Sequence, residues 1–160
     1  MTREIAQVET PIGAFRAIVV DGAVRNAMFV EDDSSEATRV RRDSSGVHLA
    51  LAAYFGGEVD ALDAVRCEPQ GTEFKQQVWK LLREVPAGTT VSYGELAARV
   101  GAPGAARAVG TANATNPICL IIPCHRVIRT GGGLGGYGFG LERKRWLLAH
   151  EAPAFELLNT

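Results

Sequence analysis

Short apolar, β-branched blocks fill residues 4–9, 14–20 and 23–30, and two turn signals separate them, Thr10-Pro11-Ile12-Gly13 and Asp21-Gly22. Asp-Gly between apolar runs favours a two-residue hairpin, because both turn positions take positive φ, so the first thirty residues predict a small antiparallel sheet. The pattern then dissolves. Glu31 to Gly46 is polar, charged and serine-rich and reads as a long surface loop or a partly disordered connection. From Val47 to Phe55 the period becomes helical, with Val47, Leu51, Tyr54 and Phe55 on one face and Gly56-Gly57 as the stop. Ala61 to Arg66 predicts one more short strand, and Cys67-Glu68-Pro69-Gln70-Gly71 marks a domain junction.

Helical spacing dominates the rest. Phe74, Val78, Leu81, Leu82 and Val85 follow Thr72, a good N-cap, until Pro86-Ala87-Gly88. Ser92-Tyr93-Gly94-Glu95 is a capping box, in which hydroxyl and carboxylate each satisfy a free N–H at a helix start. Leu96, Ala97 and Val100 give that helix its apolar face, Gly101 closes it, and Pro103 opens a second helix to about Ala114. Two short helices across a glycine-containing turn make a helix-turn-helix pattern, one that ordinary helix pairs share. The second helix carries Gly104, Ala105, Ala106, Ala108, Gly110, Thr111 and Ala112, with Arg107 as its only charge. Such a face approaches another backbone closely, whether a packed helix or a DNA groove. Ile118 to Ile122 reads as a core strand, Thr130 to Gly140 as a loop with seven glycines, and Leu141 to His150 as a last helix. In that helix Arg143-Lys144-Arg145 face outward and Trp146, Leu147 and Leu148 partly inward, with Pro153 beyond it. The fold class is α/β, with an antiparallel sheet plus helix over 1–66, a linker over 67–71 and a mainly helical domain over 72–160.

With 160 residues, 46% of them hydrophobic, the chain can build a real core. No apolar stretch approaches the roughly 18 residues of a membrane span, and the first twenty residues lack the pattern of a secretory signal. Three cysteines, Cys67, Cys119 and Cys124, are an odd number at irregular spacing, which fits a reducing compartment better than a disulfide framework. These features predict a cytoplasmic protein with no membrane partner. The net charge of −1 conceals an asymmetry: residues 1–71 hold 7 basic against 12 acidic side chains, residues 72–160 hold 10 against 6. Only the second half suits a polyanion. The glycine loop lacks Gly-Lys-Ser/Thr, which argues against a nucleotide cofactor, and no Cys/His pair has zinc-site spacing, so neither cofactor nor metal is expected.

The chemistry concentrates where the run Ile118–Ile122 ends, at Pro123-Cys124-His125-Arg126. A cysteine in an apolar setting is most often an inert packing residue. Here a proline fixes the backbone before it, a histidine follows, and a glycine loop begins within six residues. A thiol reacts as thiolate, and His125 is the nearest base, acting directly or through a water. Glu151 lies at a helix C-terminus, where the macrodipole disfavours a carboxylate unless something compensates. A histidine N–H would do so, giving Cys124, His125 and Glu151 as nucleophile, base and orienting acid; the alternative is a solvated helix end.

Pro123-Cys124-His125-Arg126-Val127, preceded by Arg107-Ala108-Val109-Gly110 and Asn116-Pro117, resembles the signature of the O6-alkylguanine-DNA alkyltransferases, also called methylated-DNA-protein-cysteine methyltransferases. The likeness runs from about Gly71 to Glu151. It implies that Cys124 takes an alkyl group from O6-alkylguanine, and also from O4-alkylthymine, in double-stranded DNA, once per molecule and without a cofactor. It further implies that a monomer flips the damaged nucleotide out of the helix. Arg107 would fill the vacated space, with Ala108 and Thr111 on the same DNA-facing helix. Tyr93 would crowd the rotating phosphate and protonate the departing base. His125 would take the thiol proton through water, Glu151 would orient the ring, and Asn116 would brace the turn. Pro123, Val127, Tyr137, Gly138 and Phe139 would line the pocket, Phe139 narrowing it in favour of methyl over benzyl. Two other readings remain: a Cys-His-Glu hydrolase, and a DNA-binding alkyltransferase-like module without chemistry.

Overall fold

A computed structural model describes residues 1–31, 41–42 and 45–152. It divides into two compact units, Met1–Gln70 with Pro117–Ile121, and Gly71–Asn116 with Ile122–Thr160.

The first unit is a sheet in the order β3-β2-β1-β4. Its strands are β1 (Arg3–Thr10), β2 (Gly13–Val20), β3 (Ala23–Val30) and β4 (Arg41–Arg42); the first three pair antiparallel, and β4 runs parallel to β1. The Asp-Gly hairpin forms as the sequence predicts, with Asp21 at φ 51° and Gly22 at φ 81°. One face of the sheet stacks Ala6, Val8, Phe15, Ala17, Val19, Ala27 and Phe29 into the core, with Phe15 edge-on to Phe29 at 4.9 Å. Helix α1 (Val47–Phe55) packs on β1 and buries Val47, Leu51 and Tyr54 of the face read from the sequence, while Phe55 is half-buried. The expected long loop is β4 at Arg41–Arg42 and otherwise falls mainly outside the described residues, as does Pro153.

Two expected strands are not strands. Residues 61–66 form consecutive tight turns, with Ala61 N–H bonded to Glu58 O, Asp63 to Asp60 and Val65 to Leu62. Their buried members, Leu62 and Val65, are one turn apart rather than alternating. Ile118–Ile122 is fully buried, as expected of core, but bent. Ile118 makes a single bridge to Ala27, and Ile121 N–H then reaches back to Cys119 O at 2.8 Å across Leu120 at φ 71°. That is a left-handed γ-turn, uncommon and strained for a residue with a side chain.

The second unit contains α2 (Glu73–Leu82), α3 (Tyr93–Arg99), α4 (Ala106–Ala114) and α5 (Leu141–Glu151). A short parallel pair, β5 (Val91–Ser92) and β6 (Val127–Ile128), accompanies them; no sequence signal announced it. Thr72 caps α2 by accepting from Lys75 N–H, and both halves of the Ser92/Glu95 capping box are made, at 3.0 and 3.2 Å. Helix α4 starts later than expected. Pro103 and Gly104 belong to a turn closed by Ala105 N–H on Ala102 O, and the first helical bond runs from Val109 to Ala105. Glycine after proline favours such a turn over a first helical turn. The four helices pack through α2 with α4, α3 with α4 and α2 with α3, while α5 packs on the turn at Cys124–Arg126.

Trp79 joins these helices. The residue is 2% exposed, and its Nε1–H donates to Ala112 O at 2.8 Å, satisfying a carbonyl that the end of α4 leaves open. A Cβ at Gly71 would lie 2.5 Å from Trp79 Cη2 and 2.6 Å from Cζ3, so only glycine fits there. Gly71→Ala is expected to cost about 1–3 kcal/mol by overpacking. Thermal unfolding should show a melting temperature several degrees lower; an unchanged value would mean that the Trp79 ring has another place to sit.

Candidate active site

The nucleophile candidate is delivered by consecutive tight turns. Across Pro123, at φ −80° and ψ 66°, Cys124 N–H donates to Ile122 O at 2.8 Å, an inverse γ-turn. Cys124–Arg126 then winds one turn of 3₁₀ helix, with Arg126 N–H on Pro123 O. At three residues per turn the side chains of Cys124, His125 and Arg126 fan about 120° apart. Neighbours in sequence therefore do not face each other. Two asparagine side chains hold the turn: Asn116 Nδ2 donates to Ile122 O at 2.8 Å and Asn113 Nδ2 to Cys124 O at 3.3 Å. Asn113 went unremarked in the sequence, where it is one more small residue of α4.

His125 and Glu151 meet as expected, with Nε2 2.8 Å from Oε2 and both side chains fully buried. Arg126 completes the group. Its Nε donates to Glu151 Oε1 at 2.8 Å, one terminal nitrogen to Oε2 at 2.9 Å and the other to Val85 O at 2.7 Å. Burial alone would raise the Glu151 pKa, but His125 and Arg126 outweigh it and hold the carboxyl well below the usual carboxylate range. Burial lowers the His125 pKa, against the opposing pull of Glu151. The ring is thus neutral and the carboxylate charged, so Nε2 carries the hydrogen and donates to Glu151. That tautomer, assigned from the network, leaves Nδ1 as a bare lone pair with no hydrogen-bond partner. A neutral imidazole with a free acceptor nitrogen is chemically able to accept a proton.

Lys144 corrects the outward-facing reading of Arg143-Lys144-Arg145: it is fully buried. Its ammonium donates to the carbonyls of Val127 at 2.6 Å, Leu134 and Gly136 at 3.1 Å, tying the glycine loop to β6. Burial lowers its pKa to about 8, with Cys124 pulling the other way. Lys144, Leu147, Leu148 and Glu151 follow the i, i+3, i+4, i+7 rhythm of the buried face of α5. One helix face therefore fixes both the loop and the carboxylate. That rhythm was the available signal for Lys144. For Arg126 the signal was a guanidinium in a run whose other members all pack inside, which demands an ion pair.

Tyr93, the first residue of α3, is half-buried between two glycines. A Cβ at Gly110 would lie 3.9 Å from its Cε1, and one at Gly135 would lie 3.3 Å from its Cε2 and Oη; Gly135 also holds φ 72°. Burial raises the phenol's pKa, Asn113 and Arg129 opposing it and Cys124 adding to it. On α4, Arg107, Ala108 and Thr111 are exposed while Val109, Ala112 and Asn113 are buried, so the small-residue face points outward around Arg107. In the glycine loop Tyr137 and Phe139 pack edge to face at 6.1 Å, and Gly138 is exposed. Val127 and Pro123 are buried beside the Cys124 turn. Among the described residues no cluster of histidine, cysteine and carboxylate side chains could hold a metal ion, and no helix is long and apolar enough to cross a membrane.

Comparison with known proteins matches residues 73–153 to the family described as 6-O-methylguanine DNA methyltransferase, DNA binding domain. A methylated-DNA-protein-cysteine methyltransferase of Mycolicibacterium paratuberculosis is 44% identical over 153 residues, 92% of either chain. One of Mycobacterium bovis is 56% identical over 113 residues, 69% of this chain and 68% of its own. Among solved structures, Mycobacterium tuberculosis O6-methylguanine methyltransferase superposes with TM-score 0.78 at 42% identity, covering 99% of this chain and 100% of that one. The Mycobacterium tuberculosis OGT in complex with DNA gives 0.80 at 41% identity, covering 94% and 93%.

Proposed function

The chain belongs to the 6-O-methylguanine DNA methyltransferase family, and on that premise we propose that it repairs O6-alkylguanine, and O4-alkylthymine, by moving the alkyl group onto its own Cys124. The observation that carries the assignment of residues is the His125–Glu151–Arg126 group, which leaves His125 Nδ1 free to accept a proton one residue from a thiol held in a rigid turn.

The residues 72–160 act as the DNA-binding alkyltransferase domain, joined through 67–71 to an N-terminal α/β domain over 1–66, in a monomer working in the cytoplasm. Helices α3 and α4 serve as the helix-turn-helix, with Arg107, Ala108 and Thr111 against the duplex. A base inside the stack has no open path to Cys124, so the nucleotide flips out at a cost of a few kcal/mol. Arg107 fills the gap, Tyr93 crowds the turning phosphate, and the extruded base enters a pocket walled by Tyr137, Phe139 and the glycine loop, its edge read by backbone groups at Cys124, Val127 and Gly138. His125 draws the thiol proton through a water, and Glu151, held by Arg126, keeps the ring oriented and stabilises it once protonated. The thiolate attacks the alkyl carbon in line. A C–S bond forms, the C–O bond breaks, and its electron pair goes to guanine O6, with the Tyr93 hydroxyl protonating the departing base. Asn116 and Asn113 keep the nucleophile's turn from moving under this load.

A thioether has no easy hydrolytic exit, so each molecule reacts once. The test is to mix the protein with excess duplex DNA bearing labelled O6-methylguanine and weigh the intact chain. One methyl per chain, located on the peptide containing Cys124, is the expected result. Turnover beyond one equivalent would make the protein a hydrolase-type catalyst, and tight binding of damaged DNA without transfer would make it a binding module; each would overturn the proposal.

A further inference from the structure

Parallel pairing of β5 with β6 puts Val91 opposite Val127 and Ser92 opposite Ile128, so the two chains leave the ladder side by side at Tyr93 and Arg129. Arg129 is then fixed by its backbone. Its N–H donates to Gly133 O and its carbonyl accepts from Gly132 N–H, both at 2.8 Å, closing a tight turn with Gly132 at φ 96°. Its stem lies against the glycine loop. A Cβ at Gly133 would sit 3.4 Å from Arg129 Cδ, and one at Gly135 would sit 3.7 Å from Arg129 Cγ and 3.3 Å from Tyr93 Oη. The two side chains therefore both border Gly135.

Arg126 and Arg129 divide sharply in what their heads do. Arg126 is buried and spends every donor group on Glu151 and Val85. Arg129 is exposed, and among the described residues its guanidinium has neither a carboxylate nor a hydrogen-bond acceptor. An arginine whose stem is packed and whose fork is free has already lost part of the entropy that binding would cost, and its planar fork matches a phosphate.

We propose that Arg129 is a phosphate-binding residue that grips the DNA backbone beside Tyr93, next to the nucleotide that leaves the stack. The assignment rests on the alkyltransferase reading above and adds to it a contact on the glycine-loop side of the site, opposite the α4 side that carries Arg107. Tyr93 supplies bulk against the backbone and Arg129 supplies charge, so the phosphate is pushed and held from adjoining side chains.

The experiment compares the parent protein with Arg129→Gln and Arg129→Lys. It measures the second-order rate constant of methyl transfer from methylated duplex DNA across a range of salt, and from free O6-methylguanine base, which has no phosphate. For Arg129→Gln the ratio of the DNA rate to the free-base rate should fall about 5- to 10-fold, and the log–log salt slope should become shallower by about 0.9, one phosphate's worth; Arg129→Lys should keep most of the slope. An unchanged ratio and slope would overturn the proposal, as would DNA and free-base rates falling together, which would make Arg129 a prop for the loop. If the parent protein transfers methyl from neither substrate, the alkyltransferase reading itself fails, and this assignment with it.

Discussion

Cys124→Ala should take up no methyl group from damaged DNA while keeping its fold and its grip on the duplex. Cys124 is 8% exposed and packs like a small apolar residue, so losing the sulfur costs about 1 kcal/mol of stability or less. The groups that hold its turn, Asn113, Asn116 and the His125–Glu151–Arg126 network, act through backbone carbonyls and through each other. The loss is therefore confined to chemistry. Cys124→Ser should be as inactive, because burial lowers the basicity of His125 and leaves it matched to a thiol rather than a hydroxyl. Transfer is read as mass gain per chain, and DNA affinity by titration with a labelled methylated duplex. A mass gain in the alanine variant would mean another acceptor, with Lys144, Cys119 and Cys67 the first residues to map.

The elements a single sequence announces are those whose causes are local. The Asp21-Gly22 hairpin, the Thr72 cap, the Ser92/Glu95 capping box and the Val47/Leu51/Tyr54 helix face each depend on residues within a turn or two of one another, and all form as expected. The failures share the opposite property. Ile118–Ile122 has the composition of a strand, but its conformation is set by where Pro117 and Cys119 can bond to Ala27, a partner ninety residues away. The β5–β6 pair joins segments 36 positions apart that are two residues long, too short to leave a pattern. The site divides the same way. Helix-end electrostatics made Glu151 look misplaced without a partner, but a solvated helix end explained it as well, and it was the family resemblance that joined it to Cys124 and His125. Arg126 and Lys144 carried weaker signals, the apolar run and the helical rhythm, which are outweighed because a charged side chain in sequence looks like surface until the groups that satisfy it are seen, here Val85, Val127, Gly136 and Glu151.

Glu151→Gln should be the most damaging change to stability. It leaves the Arg126 guanidinium buried with no countercharge, and removing one partner of a buried pair costs about 3–5 kcal/mol. Arg126→Leu should cost a similar amount by stranding Glu151 and the Val85 carbonyl. Combining the two should cost clearly less than their sum, because neither charge is then left behind. The pH dependence follows from the same geometry. Because the folded Glu151 carboxyl sits well below its ordinary value, its contribution is present above the unfolded carboxyl pKa of about 4.3 and is lost as pH falls below that. His125 is also lowered by folding, so below about pH 6.5 the unfolded chain gains a proton that the folded one resists, and stability declines there too. Urea unfolding of the parent should therefore show two declines on acidification, one beginning near 6.5 and a second near 4.3, with the second much reduced in Glu151→Gln. Methyl transfer by that variant should slow on the order of 100-fold, as the amide can turn its NH2 toward His125 and no longer fixes the tautomer, and it lacks the charge that stabilises the protonated ring. Single-variant costs below 1 kcal/mol, or additive ones, would mean that the pair is solvated and that Arg126 and Glu151 do not depend on each other.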